Sequence, residues 1–244
     1  VTALHSRYVA GNLVYWDKHP KRIVSAIGPD VFSVFEDFTH VAVASDAVSN
    51  WTVTLVEAGG GESTVTRPDT AAGALLLTTD SNEDDGINMQ ITTGESFGPV
   101  ATPSAIYFGV RFQASEATQI DLFAGLAITD TSLIGTSPSD AIYMDKVDGA
   151  TAVTGTCAKN STETDTAGTS VFAASAYTLW EFYYDGLAAT PSVEFFVDGV
   201  SLGLVSGANV PDDELLCPSF AILAGSANVR TATIDYIRCI QIGR

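Results

Sequence analysis

Along most of the chain, apolar and polar residues alternate with a period of two, and β-branched and aromatic residues fill many apolar positions. That period turns one face of an extended segment to a core and the other to solvent, so it predicts strands. Strands are expected at Trp51–Val56, Ala74–Thr79, Gly86–Thr92, Ala105–Gln113, Asp121–Thr129 and Ala141–Lys146. The pattern continues around Val171–Phe172 and at Thr178–Tyr184, Val193–Val197, Ser219–Ala224 and Thr231–Gln241. Turn formers separate them at Gly59-Gly-Gly61, Asp85-Gly86, Asp148-Gly149, Asp185-Gly186 and Asp198-Gly199. No amphipathic helix longer than two turns is visible. Such a series reads as an all-β, two-sheet antiparallel sandwich.

Residues 1–34 follow a different pattern. Arg7–Trp16 fits a short hairpin with Gly11-Asn12 as its turn, followed by Asp17-Lys-His-Pro-Lys-Arg22, an apolar run at Ile23–Ile27 and the turn Gly28-Pro29-Asp30. The sequence therefore divides into an N-terminal extension, 1–34, and a sandwich, 35–244.

Charge sharpens that division. The chain is 46% hydrophobic and 16% charged, which suits a packed core and excludes a disordered polyelectrolyte. Its net charge is −18, which argues against nucleic-acid and anionic-membrane partners. Residues 1–22 carry Arg7, Lys18, Lys21 and Arg22 against the single acid Asp17, so the rest of the chain stands at −21. Basic residues beside Tyr8, Tyr15 and Trp16 make Arg7, Tyr8, Tyr15, Trp16, Lys18, Lys21 and Arg22 the expected partner-binding set. Aromatics packing the extension onto its own body are the structural alternative. Apolar stretches such as Ala71–Leu77 are far shorter than the ~20 residues that span a bilayer. The beginning of the chain lacks the pattern of a signal peptide.

Chemistry-bearing motifs are sparse. Cys157, Cys217 and Cys239 have neither zinc-ligand nor CxxC spacing, and three reduced thiols fit synthesis in a reducing cytoplasm, with a Cys217–Cys239 bridge left open. His5, His19 and His40 all precede residue 41, so a Ser-His-Asp set would require the basic extension to complete a distant site. Asp80–Gly86 has an acidic loop, but its Gly is one place late for a calcium loop and Ile91 stands where the closing Glu belongs. Pro211-Asp-Asp-Glu214 reads as a solvated turn. No metal or cofactor is expected. Trp51 after Asn50, and Asn82 beside Asp84, are the candidate sugar contacts, with core burial the alternative for Trp51.

Two strands carry a family resemblance. Trp180-Glu-Phe-Tyr-Tyr-Asp185-Gly186 and Val193-Glu-Phe-Phe-Val-Asp198-Gly199 resemble the paired strands of concanavalin A-like, laminin-G-like sandwiches. Phe35-Glu-Asp-Phe38 and Thr233–Ile240 resemble the opening and closing strands of such domains. The resemblance covers residues 35–244 and implies a jelly-roll sandwich. It leaves function open, because this architecture hosts lectins, glycosidases and structural modules. The glycosidase branch implies a Glu-x-Asp-x-(x)-Glu strand, which this chain lacks, so no catalytic residue and no enzymatic activity are expected.

A second resemblance rests on Tyr107–Phe112, Ala124–Thr131, Asp140–Tyr143, Asn88 with Gln90, and Arg7-Tyr-Val-x-Gly-Asn-Leu13. These segments resemble sandwich proteins among the structural genes of tailed, notably marine, bacteriophages. What it implies is a virion structural protein, made in the host cytoplasm and placed on the capsid surface as a decoration (cement) protein. Its expected partner is the major capsid protein or another virion protein, with a homotrimer suited to local three-fold sites. The alternative is a carbohydrate-binding, lectin-like module, free or on a fibre or tail, whose partner is a glycan.

Overall fold

A computed structural model describes residues 3–68, 73–91, 94–99 and 103–243. Among them there are 21 strands and no helix. All the expected strands are present, with Thr92 lying outside the described residues.

Two large antiparallel sheets form the sandwich. One has the order Thr162–Asp165, Ala152–Lys159, Ala141–Lys146, Ile120–Ala127, Cys217–Ala224, Gly86–Ile91, Trp51–Val56, Ala47–Val48, Val43–Ala44, with Ser170–Val171 also pairing with Ala152–Lys159. The other runs Val200–Ser206, Ser192–Val197, Thr178–Asp185, Ala105–Ala114, Thr231–Ile242, Leu75–Thr78, Thr64–Thr66. Val31–Glu36 pairs with the far half of Thr231–Ile242, so the expected opening and closing strands do lie side by side. The ten- and eight-stranded sheets thus exchange the chain repeatedly, as a jelly roll requires.

The core follows from the alternation. Ile106, Phe108, Val110 and Phe112 turn inward from the eight-stranded sheet, and Ile120, Leu122, Ala124 and Leu126 from the ten-stranded sheet. Phe112 joins the layers, edge-on to Trp180 at 4.9 Å and to Phe220 at 5.2 Å between ring centres. Gly155 allows close approach of the layers, because a Cβ there would stand 2.3 Å from the Phe195 ring. Trp51, a candidate sugar contact, is 4% exposed beside Phe38 in this core.

The N-terminal segment forms its own sheet of His5–Val9, Asn12–Trp16 and Ile23–Ile27. Its hairpin turns at Ala10-Gly11, one residue earlier than expected; both residues have positive φ (47° and 79°), and Val9 pairs with Asn12. Such a two-residue turn matches the twist of the flanking strands. Val9, Val14 and Ile23 pack on Ala105, Tyr107, Tyr183, Ile240 and Ile242, so this part of the eight-stranded sheet is covered on both faces. That double burial explains why Ala105–Phe108 reads as a continuous apolar run. The next strand, Val31–Glu36, already belongs to the sandwich and spans the boundary inferred at 34/35.

Strands without a sequence signal lie mainly at sheet edges. Thr162–Asp165 (TETD) is polar, and Ala152–Lys159 (AVTGTCAK) is small and Gly-interrupted; their pairing registers hold them in the sheet.

Candidate functional site

The outer face of the ten-stranded sheet carries the most distinctive chemistry. Asp121 and Phe123 alternate outward on one strand, and Tyr143 and Asp145 on the next, with Phe123 directly opposite Asp145 in the register. Phe123 and Tyr143 stack with ring centres 4.6 Å apart. Tyr143 donates its hydroxyl to Glu163 Oε1 at 2.7 Å, and Thr156 donates to Asp165 Oδ1 at 2.9 Å. Acids from three strands therefore share one face.

The segment Ile128–Asp140 roofs part of this face. Leu133 and Ile134 pack on Phe123, Ala127, Tyr143 and Ala221. Two amides on the sheet hold the roof down. Gln90 donates to the Ile128 carbonyl at 2.9 Å and accepts the Asp130 N–H at 2.8 Å, while Asn88 donates to the Thr131 carbonyl at 2.6 Å. Between roof and sheet lies a cleft of about 240 Å³. Phe123, Tyr143 and Leu223 line its sheet side, Leu133, Ile134 and Ser137 its roof, and Asp84, Asp121 and Asp145 its acidic wall.

Electrostatics single out Asp145. Burial, then the charges of Asp165 and Glu163, push its carboxyl up to about 7. Its Oδ1 is buried and accepts no hydrogen bond. Burial also raises Asp121, although its Oδ1 accepts the Asp148 N–H at 2.6 Å. Lys146 is the cation of the lining, but its ammonium donates to the carbonyls of Thr118, at 2.7 Å, and Ile120. Burial lowers its proton affinity.

The residues expected to bind a partner lie on the opposite side, in the small sheet. Arg22 is 5% exposed and bonded to Glu181 of the sandwich, and Lys21 is paired with Glu194. Arg7 lies against Tyr183. Trp16 stacks on His5 at 4.4 Å. Tyr8, Tyr15 and Lys18 remain at the surface; Tyr8 is 75% exposed, and Tyr15 and Trp16 are half-buried. The register sets Tyr8, Leu13 and Ile27 in one row on the face turned away from the sandwich, with Ile27 61% exposed.

The acidic loops have local bonding roles. Asp85 is buried, accepting the Ala58 N–H at 2.5 Å and the Asn82 amide at 2.9 Å. Lys159 pairs with Asp212 and lies 3.7 Å from Asp213. Among the described residues no three His, Cys, Asp or Glu side chains converge as a cation cage. Cys157, Cys217 and Cys239 are buried free thiols, which resolves the open question of a Cys217–Cys239 bridge.

No protein-family model matches the chain, and neither does any curated protein. Solved structures do. An endo-1,3-β-glucanase from Streptomyces sioyaensis superposes with a TM-score of 0.63 at 14% identity, covering 91% of this chain and all of that one. Peanut lectin gives 0.55 at 11% identity over 88% of this chain and 99% of that one. The carbohydrate recognition domain of Emp46p gives 0.55 at 12% identity over 78% and 88%. The fold is a concanavalin A-like jelly-roll sandwich.

No sequence motif marks the cleft residues Asp121, Phe123 and Asp145, and Tyr143 stands out only as the end of the Asp140–Tyr143 segment. Their signal was present: polar and aromatic residues at alternate positions of two adjacent, otherwise apolar strands. Asn88 and Gln90, noted for the phage-protein resemblance, hold the roof by the Thr131 and Ile128 carbonyls of the Ala124–Thr131 segment, which belongs to the same resemblance.

Proposed function

We propose that this protein binds carbohydrate in the cleft on the outer face of its ten-stranded sheet, without hydrolysing it. The observation that carries this reading is the composition of the cleft: the acceptors Asp84, Asp121 and Asp145 on one side, and the apolar edges of Leu133, Ile134 and Leu223 around them. A sugar ring presents hydroxyl donors at its rim and C–H groups on its faces, and such a lining meets both. Lectins with the same architecture support the reading at the level of fold. The absence of a Glu-x-Asp-x-(x)-Glu strand favours binding over hydrolysis; the acids of this face are Asp121 and Asp145 on two neighbouring strands, with Glu163 and Asp165 together on the edge strand Thr162–Asp165. Binding to a glycan panel, measured with the purified chain and with Asp121→Asn, tests it. Binding to one glycan class that Asp121→Asn weakens at least tenfold is expected. Binding that this variant leaves intact overturns the site, and release of reducing sugar overturns the non-enzymatic reading.

A virion role is the second reading, favoured by the outward row Tyr8–Leu13–Ile27 on the small sheet. Two of these side chains are largely exposed, which suits attachment to a protein shell as a decoration protein. Glycan binding and attachment use opposite sides of the molecule, so a decorating protein could display the cleft. Co-sedimentation with capsid shells lacking this protein, comparing the native chain with Tyr8→Ser/Ile27→Ser, tests it. Saturable pelleting lost in the double variant is expected; no pelleting of the native chain removes the capsid role.

A further inference from the structure

Three features of the cleft narrow its ligand. The first is size. At about 240 Å³ it falls below the ~300 Å³ at which pockets for drug-sized ligands begin, so it suits one terminal sugar rather than the middle of a chain.

The second is charge. Asp145, Asp121 and Asp84 face the cleft from two adjacent strands and a loop. Glu163 and Asp165 act on Asp145 from the sheet edge beyond. The lining cation, Lys146, has its ammonium committed to two main-chain carbonyls. An anionic sugar entering here meets three carboxylates against one ammonium, a balance that repels it at short range.

The third is an unmet acceptor. Asp145 lines the cleft, and its enclosed Oδ1 receives no hydrogen bond, so turning that oxygen towards a donor in the cleft gains a bond that the free protein lacks. A neutral hydroxyl can supply one donor. An ammonium supplies three donors and a compensating charge, and charge-assisted bonds of this kind are about twice as strong as neutral ones. Asp121, diagonal to Asp145 on the neighbouring strand, is within reach of the same group.

We infer that the cleft recognises a terminal amino sugar with a free ammonium, seated against Asp145 and Asp121. This inference rests on reading the cleft as a glycan site. Anionic sugars are excluded by the same acids, and N-acetylation of the amine removes the charge that the site is built to meet.

Titration calorimetry with four probes tests it: a de-N-acetylated chitooligosaccharide, its N-acetylated counterpart, a neutral β-glucan oligosaccharide, and a short alkyl diamine. The de-N-acetylated probe is expected to bind at least tenfold more tightly than the other three. Asp145→Asn is expected to abolish that preference. Tighter or equal binding of an N-acetylated or neutral probe overturns amine recognition and leaves the glycan reading standing. A diamine as tight as the amino sugar overturns the sugar component. No binding of any probe overturns both. Asp121→Asn serves as the second variant if Asp145→Asn fails to fold, and retention of full amine preference in it counts against the inference.

Discussion

Arg22 lays its guanidinium across both carboxylate oxygens of Glu181, 159 residues further along the chain, with Nε 2.6 Å from Oε1. Tyr107 adds its hydroxyl to the same Oε1 at 2.7 Å. All three side chains are buried where the small N-terminal sheet meets the sandwich. His19 stacks on Phe196 at 4.3 Å and Lys21 pairs with Glu194 beside them. A cationic segment therefore spends two of its four charges docking onto an acidic body within the same chain.

Breaking this clamp from one side leaves a buried charge without its partner. Arg22→Ala is expected to cost about 3–5 kcal/mol, because Glu181 keeps only the Tyr107 hydroxyl. Replacing both partners, as in Arg22→Met/Glu181→Leu, should cost far less, leaving mainly the ~1–3 kcal/mol of an unpaired Tyr107 hydroxyl. Equilibrium unfolding in denaturant distinguishes the two. A double variant as unstable as Arg22→Ala would refute the account.

Asp145 links stability to pH. Its folded-state pKa, about 7, lies above its ordinary 3.8, so the protein favours its protonated form. The associated stability is fully present below about pH 4 and is lost as pH rises through about 7. Asp145→Asn should therefore stabilise the protein by roughly 2 kcal/mol at pH 8, a figure reduced for partial exposure, and by little at pH 4. Thermal unfolding of both proteins at the two pH values checks the sign.

Gln90 ties the roof of the cleft to the sheet through one amide used in both directions. Gln90→Ala strands the Ile128 carbonyl and the Asp130 N–H, at a cost of about 1–2 kcal/mol. Native-state hydrogen exchange should show the Asp130 amide exchanging faster while the core strand Ile120–Ala127 stays protected. Glycan affinity should fall several-fold, although Gln90 does not line the cleft. Unchanged exchange at Asp130 would remove Gln90 from this role.

Ligand binding should also move a proton. At pH 7 Asp145 is partly protonated, and an ammonium placed beside it favours the carboxylate, so an amino sugar should release protons on binding. Calorimetry in two buffers of different ionisation enthalpy detects this as a difference in apparent heat. That difference should vanish in Asp145→Asn, and its persistence there would assign the proton elsewhere.

Much of the fold was legible because it depends on local alternation. A period of two, broken by turns such as Asp198-Gly199 where both residues take positive φ (52° and 84°), locates strands without reference to the rest of the chain. The Trp180 and Phe195 strands and their jelly-roll affiliation were visible for the same reason. Edge strands such as Thr162–Asp165 were hidden, because a polar strand is held by its neighbour's backbone and leaves no hydrophobic signature.

The site was hidden for a related reason. Sequence alone placed a basic, aromatic segment before an acidic body and marked Arg22 and Lys21 as charges seeking partners. Only the tertiary structure decided that Glu181 and Glu194, isolated acids on distant strands, take up those charges. Likewise, alternation marks Asp121 and Asp145 as facing out of the core, but their separation along the chain says nothing of their meeting. Sheet register brings them diagonal to each other, and packing in the folded chain buries Asp145. Strand positions follow from nearest neighbours in sequence, whereas charge pairing and desolvation depend on long-range approach, which the local pattern does not encode.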